Sequence, residues 1–130
     1  MKVKKWLLAI AAFAVMAVAC AVAAGAETYE DFNYSVLDDG TVEITKYIGS
    51  AEKVDIPEMI DGKSVTSIGF DAFGGRENLT RIEIPSGVTK IGSYAFRDCT
   101  SLTDAEISNS VESIGEDAFY GCSSLTNITI

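Results

Sequence analysis

Residues 65 to 130 repeat every 23 positions, and no other feature of the chain restricts its fold as tightly. Residues 65–87 read VTSIGFDAFGGRENLTRIEIPSG, residues 88–110 read VTKIGSYAFRDCTSLTDAEISNS, and residues 111–130 read VESIGEDAFYGCSSLTNITI, aligned without a gap. Val65/Val88/Val111, Ile68/Ile91/Ile114, Ala72/Ala95/Ala118, Phe73/Phe96/Phe119, Leu79/Leu102/Leu125, Ile82/Ala105/Ile128 and Ile84/Ile107/Ile130 are apolar columns, with polar or charged residues between them. Such a period marks a unit that stacks on its own copies, a repeat solenoid. The apolar side chains of one copy cannot offset the entropy of ordering its backbone, so each unit is stable only between neighbours.

Within each copy, Leu-x-x-Ile-x-Ile places apolar residues at period two, the pattern of a short half-buried strand. Strands are expected at 81–84, 104–107 and 127–130. Val-x-x-Ile is a second extended piece, closed by Gly69, Gly92 and Gly115, which supply either a positive φ or room for a tight bend. The Asp-Ala-Phe or Tyr-Ala-Phe that follows reads as a single helical turn.

Upstream, residues 32–37 and 41–47 are alternating, β-rich runs joined by Asp38-Asp39-Gly40, a hairpin signal. Lys53-Val54-Asp55-Ile56-Pro57 matches Arg81-Ile82-Glu83-Ile84-Pro85 and forms the first rung of the same ladder. Five extra residues before Val65, containing Asp61-Gly62-Lys63, read as a loop. The expected organisation is a leader over 1–26, an N-terminal β-hairpin cap with a first rung over 27–64, and three 23-residue repeats over 65–130, the last incomplete. The sequence stops at Ile130 inside a copy, on an apolar strand that would be an open sheet edge. Because solenoids normally close with a polar cap, either a longer repeat array or cover by another chain is expected there.

The motif Ile-Gly-x-x-Ala-Phe-x-x-Cys-x-x-Leu-x-x-Ile-x-Ile-Pro, present nearly three times in phase, resembles the BspA-type leucine-rich repeats of bacterial and protist surface proteins. The resemblance spans residues 53–130 and departs at three places: Arg76 stands in the column of Cys99 and Cys122, Ala105 replaces an Ile, and Ser108 replaces the Pro of Pro57 and Pro85. It implies a leucine-rich-repeat solenoid, mainly β with short helical turns, serving as a secreted or surface-attached binding module in adhesion or protein–protein contact. Such scaffolds carry unrelated ligands, so the resemblance does not name the partner.

Lys2, Lys4 and Lys5 precede an apolar run from Trp6 to Val18, and Ala24-Gly25-Ala26 offers the small residues of a signal peptidase site, so 1–26 reads as a secretory signal peptide. Two rival readings share the segment. Ala17-Val18-Ala19-Cys20 resembles a bacterial lipobox, with Cys20 as a lipidated N-terminus. The run from Trp6 to Ala24 also approaches the length of an uncleaved anchor, although it is rich in Ala. Without residues 1–26, seven basic residues face nineteen acidic ones, a formal charge of −12, and the mature chain carries no transmembrane domain. Nucleic acid or an anionic membrane needs a clustered basic face, whereas these Lys and Arg are scattered from Lys46 to Arg97, so both partners are excluded.

Chemistry is restricted as sharply. The chain has no histidine, hence no imidazole base, no His-based triad and no ordinary zinc site. Two carboxylates could hydrolyse a glycoside, but Asp38/Asp39 fall in a turn and Glu116/Asp117 in a variable column, which makes them solvated surface. No catalytic, cofactor-binding or metal-ligating residue is assigned, and no enzymatic activity is expected. Cys99 and Cys122 lie one period apart, about 5 Å on neighbouring coils. That separation permits a disulfide, but parallel side chains would strain it, which favours two buried thiols. Asn33, Asn78 and Asn127 begin glycosylation sequons.

The candidate contact surface is the outward face of the ladder: Lys53, Asp55, Arg81, Glu83, Asp104, Glu106, Asn127 and Thr129. Four rungs span only about 15 Å, small against the roughly 800 Å² per partner of a standard interface, so binding is weak and multivalent or belongs to a longer parent. The expected partner is a protein or glycan ligand at the cell surface, with self-association through the C-terminal edge strand as a further contact. The alternative function is a structural spacer or self-assembling surface element.

Overall fold

Backbone pairing follows the 23-residue period. The structure is a computed structural model that describes residues 27–130; the signal peptide with its cut site, the Cys20 lipobox and the anchor alternative lie outside the described residues. The strands are β1 (Glu27–Tyr29), β2 (Phe32–Val36), β3 (Val42–Tyr47), β4 (Lys53–Asp55), β5 (Met59–Ile60), β6 (Lys63–Ile68), β7 (Arg81–Ile84), β8 (Lys90–Ile91), β9 (Asp104–Ile107), β10 (Ser113–Ile114) and β11 (Asn127–Thr129). One wall of the solenoid is the parallel sheet β4-β7-β9-β11, and the other is β1-β2-β3-β6-β8-β10, with β5 attached to β6. Arg81 pairs with Asp104 and Asp104 with Asn127, one period apart, whereas Lys53 pairs with Arg81 across the five-residue excess. The cap is not a separate lid. Its antiparallel pair β2-β3 adds β3 in parallel to β6, so Ile44, Ile68, Ile91 and Ile114 form one row.

Between the two walls run the apolar columns, and the aromatic one is the clearest. Phe73 and Phe96 stack with ring centroids 5.0 Å apart, and Phe96 and Phe119 at 5.2 Å and nearly parallel. The file begins one coil earlier than the repeat suggests, because Tyr47 stacks on Phe73 at 5.2 Å. Phe73 and Phe96 are fully buried, as are Val65, Val88, Leu79, Leu102 and Ile82, while Ala105 fills its column with a small residue and stays buried. In the last described coil Val111, Phe119, Cys122 and Leu125 are packed on one side and only partly buried.

Four local expectations need correction or completion. The segment expected to be a helical turn contains no helix. Asp71, Tyr94 and Asp117 there adopt left-handed φ values of 55°, 58° and 54°, which an α-helix of L-residues does not accommodate. Two of its three amides are taken by the neighbouring coil, Asp71 N–H by the Ser93 carbonyl at 3.1 Å and Phe73 N–H by that of Ala95 at 2.7 Å, while Ala72 N–H bonds the Gly69 carbonyl of its own coil at 3.3 Å. Second, Gly69, Gly92 and Gly115 do not supply positive φ; they let adjacent coils touch. A Cβ on Gly92 would lie 2.8 Å from the Gly69 carbonyl carbon, and one on Gly115 would lie 2.4 Å from the Ser93 nitrogen. Third, the five-residue excess is a hairpin rather than a loop. Asp61 (φ 50°) and Gly62 (φ 75°) form a two-residue turn between β5 and β6, the conformation that Asp-Gly favours. Finally, β1 is a strand that sequence periodicity misses, since three residues are too short to show one.

Strand β1 is held by an unusual polar contact. The buried Tyr34 hydroxyl lies 2.5 Å from Glu27 Oε2 and 2.6 Å from Asp61 Oδ2, so its single hydrogen is shared between β1 and the β5–β6 turn. Burial first, and then the hydrogen bonds to Asp61 and Glu27, push the phenol well above its ordinary value of 10.0. A phenol whose folded value is raised favours the folded state only while it keeps its proton, fully so below the unfolded value and progressively less as pH rises beyond it.

Two predictions follow from this packing. Phe96→Ala costs about 3–5 kcal/mol and Gly92→Ala about 1–3 kcal/mol through overpacking, while Gly75→Asn, in open space at φ 72°, costs much less. Urea unfolding of the three variants checks the order, and a Gly92→Ala protein as stable as wild type would refute the close-approach account. Stability in urea is also expected to fall as pH climbs above about 10. Tyr34→Phe, lower in stability at neutral pH, should show a shallower alkaline decline.

Candidate binding face

The ladder face arises from alternation. In β4, β7, β9 and β11 the residues Val54, Ile82, Ala105 and Ile128 point to the interior file, and those on either side face solvent. Parallel pairing in exact register then sorts the outward residues into two files, Lys53-Arg81-Asp104-Asn127 and Asp55-Glu83-Glu106-Thr129. All eight residues singled out from the sequence therefore share one surface. Arg81 and Asp104 are partly buried there and the other six are exposed.

The two files differ in charge. In the first, Arg81 reaches across to Glu106, with which it forms an ion pair, and lies 3.6 Å from Glu83. The hydrogen bond to Glu106 raises the Arg81 pKa, keeping the guanidinium charged. Asn127 Nδ2 donates to Asp104 Oδ1 at 3.2 Å. The second file stacks three carboxylates, Asp55, Glu83 and Glu106, at the strand spacing of about 4.8 Å. Beside it lies a groove of about 410 Å³, to which Glu58, Pro85 and Ser108 also contribute. Such a surface repels anions and attracts cationic groups.

The residues weighed for catalysis are occupied differently. Asp39 Oδ1 accepts hydrogen bonds from the Thr41 amide at 2.9 Å and hydroxyl at 2.6 Å, and these hold its carboxyl below the usual range. Asp117 engages Tyr94, whose phenol is pushed up by that negative charge and hydrogen bond. Among the described residues no set of three or more His, Cys, Asp or Glu is gathered as metal ligands. Cys99 and Cys122 are free thiols that donate to the Phe73 and Phe96 carbonyls at 3.1 and 2.9 Å, one coil back. Hydrogen bonding with Cys122, then burial, pushes the Cys99 thiol far above its ordinary value. Asn78 and Asn127 of the sequons are exposed.

Some surface features escaped the sequence. Phe70 is exposed and meets Tyr94 edge to face at 5.8 Å, on an edge where Asp71 joins Arg97 at 3.0 Å and Lys46 at 3.8 Å. A cavity of about 230 Å³ lined by Arg76 and Tyr47 opens ahead of β4 and β7. The sequence signal for it was the charged residue in the cysteine column.

Among the described residues no helix is long and apolar enough to cross a membrane. A family profile described as the BspA type leucine rich repeat region matches residues 45–130, with six copies. A leucine rich cell surface protein from Faecalibacterium prausnitzii is similar at 37% identity and a TM-score of 0.73 over 79% of this chain and 30% of its own length. A leucine-rich repeat protein from Bacteroides ovatus is similar at 34% identity and 0.71, over 79% of this chain and 29% of its own. This chain thus spans about a third of the length of either. A leucine-rich repeat protein from Bacteroides capillosus, at 24% identity and a TM-score of 0.63, shares the fold over 80% of this chain and 96% of its own. A search of curated proteins returns no match. With the repeat matched over most of its length and its two parallel ladders in place, the chain belongs to the BspA-type leucine-rich repeat family.

Proposed function

We propose that this chain is an exported adhesion module of the cell surface whose ladder face engages a protein partner through basic groups. The observation that carries the reading is the file Asp55-Glu83-Glu106, three carboxylates on successive strands of a rigid parallel sheet, bordered by an acidic groove. Members of this repeat family are typically binding modules rather than enzymes, and a relative from Faecalibacterium prausnitzii is described as a cell surface protein. The apolar run and small-residue cut site of residues 1–26 support export. The four strands among the described residues present a narrow platform, so a contact made by them alone is weak and gains strength from many copies on one surface or from further repeats.

The test is binding of the purified exported protein to cultured cells and to immobilised matrix proteins. Wild type binds, weakens as salt is raised, and loses tenfold or more when Asp55, Glu83 and Glu106 are changed together to Ala. Binding that survives the triple change and ignores salt places the site elsewhere.

A further inference from the structure

Arg76 occupies a position that the next two coils give to sulfur. Cys99 and Cys122 fill it with small side chains whose thiols donate to the Phe73 and Phe96 carbonyls. A guanidinium is too large and too polar to do the same. The Arg76 head group lies over the Tyr47 ring instead, with Cζ 6.0 Å from the centroid. Its Nε–H is buried without a hydrogen-bond partner, and among the described residues Arg76 makes no ion pair, whereas Arg81, Arg97 and Lys46 each have carboxylates. That Nε–H is closed to solvent and so to any ligand, which leaves the terminal amino groups of the guanidinium, unpaired among the described residues, as the groups that a partner in the open space beside them can reach.

The space for that partner is present. Arg76 lines the solvent-open cavity of about 230 Å³ together with Tyr47, Gly49, Ser50, Glu77 and Asn78. The cavity sits ahead of β4 and β7, apart from the outward ladder residues, and it is smaller than the roughly 300–1,000 Å³ of ordinary small-molecule pockets. It suits one sugar ring or one amino acid. The fork of a guanidinium matches a carboxylate in two parallel hydrogen bonds, and Ser50 and Asn78 add neutral donors from the two segments that form the walls.

We propose that this cavity is a carboxylate-binding site anchored by Arg76, taking the acid group of a single uronic sugar or of a peptide C-terminal residue. Glu77 also lines it, so its negative charge opposes the ligand and keeps affinity modest. The site is independent of the ladder face and stands whether or not that face binds protein.

The experiment follows the Ser50 and Asn78 amide signals of the exported protein by NMR while sodium glucuronate, N-acetylalanine, neutral glucose or sodium chloride is added. The expected result is a saturable shift with one of the two acids, at a dissociation constant of about 1 mM, and none with glucose or chloride. The acid that binds identifies the ligand as glycan or peptide. Arg76→Cys, which installs the residue that neighbouring coils already tolerate, abolishes the shift. Arg76→Lys, keeping charge without the fork, weakens binding about tenfold, and Glu77→Gln strengthens it several-fold. No saturable response to either acid, an equal response to glucose or chloride, or an undiminished response in Arg76→Cys overturns the proposal.

Discussion

The aromatic rings of this protein stack at 5.0–5.2 Å, close to the 4.7–4.9 Å between hydrogen-bonded strands. One spacing therefore serves the backbone of both sheets and the interior that separates them. Each coil rests on its neighbour at the distance its amides require, and Tyr47, Phe73, Phe96 and Phe119 meet face to face at that same distance. Everything else in the molecule is an adaptation to this coincidence. The cap contributes Tyr47 at the start of the file and β3 at the start of a wall, so the first complete coil has a partner on both sides.

Close approach imposes its own demands at the bends. Gly69, Gly92 and Gly115 are needed because backbone lies where a Cβ would be. The left-handed residues are a different set, Asp71, Tyr94 and Asp117 together with Gly75, Asp98 and Gly121. Asp, with its short polar side chain, is among the few residues other than glycine that visit this region routinely; that of Asp71 ties across to Arg97 on the next coil. Tyr94 bears the same backbone without that help and is used instead on the surface, against Phe70 and Asp117.

Columns and alternation were the legible part. Apolar residues every 23 positions identified the core, and period two within each strand identified all eight outward residues of the ladder, because both signals depend on which side of a wall a residue faces. Features that depend on contacts between coils were not legible. The turn at Asp71 looks helical in sequence, and only the Ser93 and Ala95 carbonyls one coil away show where two of its amides go. Nor does sequence reveal that Arg81 crosses to Glu106, or that Tyr34 ties Glu27 to Asp61, since those partners lie 25, 7 and 27 residues away. Arg76 stood out as a charged residue among cysteines, yet its cavity is built with residues 49–51 of another segment.

Fold and function are separable here. The ladders would form with other outward residues, so recognition resides in what decorates the walls, such as the acidic file on one face and the unpaired guanidinium beside another. What cannot vary is the stack. The most direct measurement of it is the set of NMR cross-relaxation contacts among aromatic ring protons in the folded protein. Contacts are expected from Phe73 to Tyr47 and Phe96 and from Phe96 to Phe119, in that order along one file. Rings that show no contact with the ring one period away would contradict it.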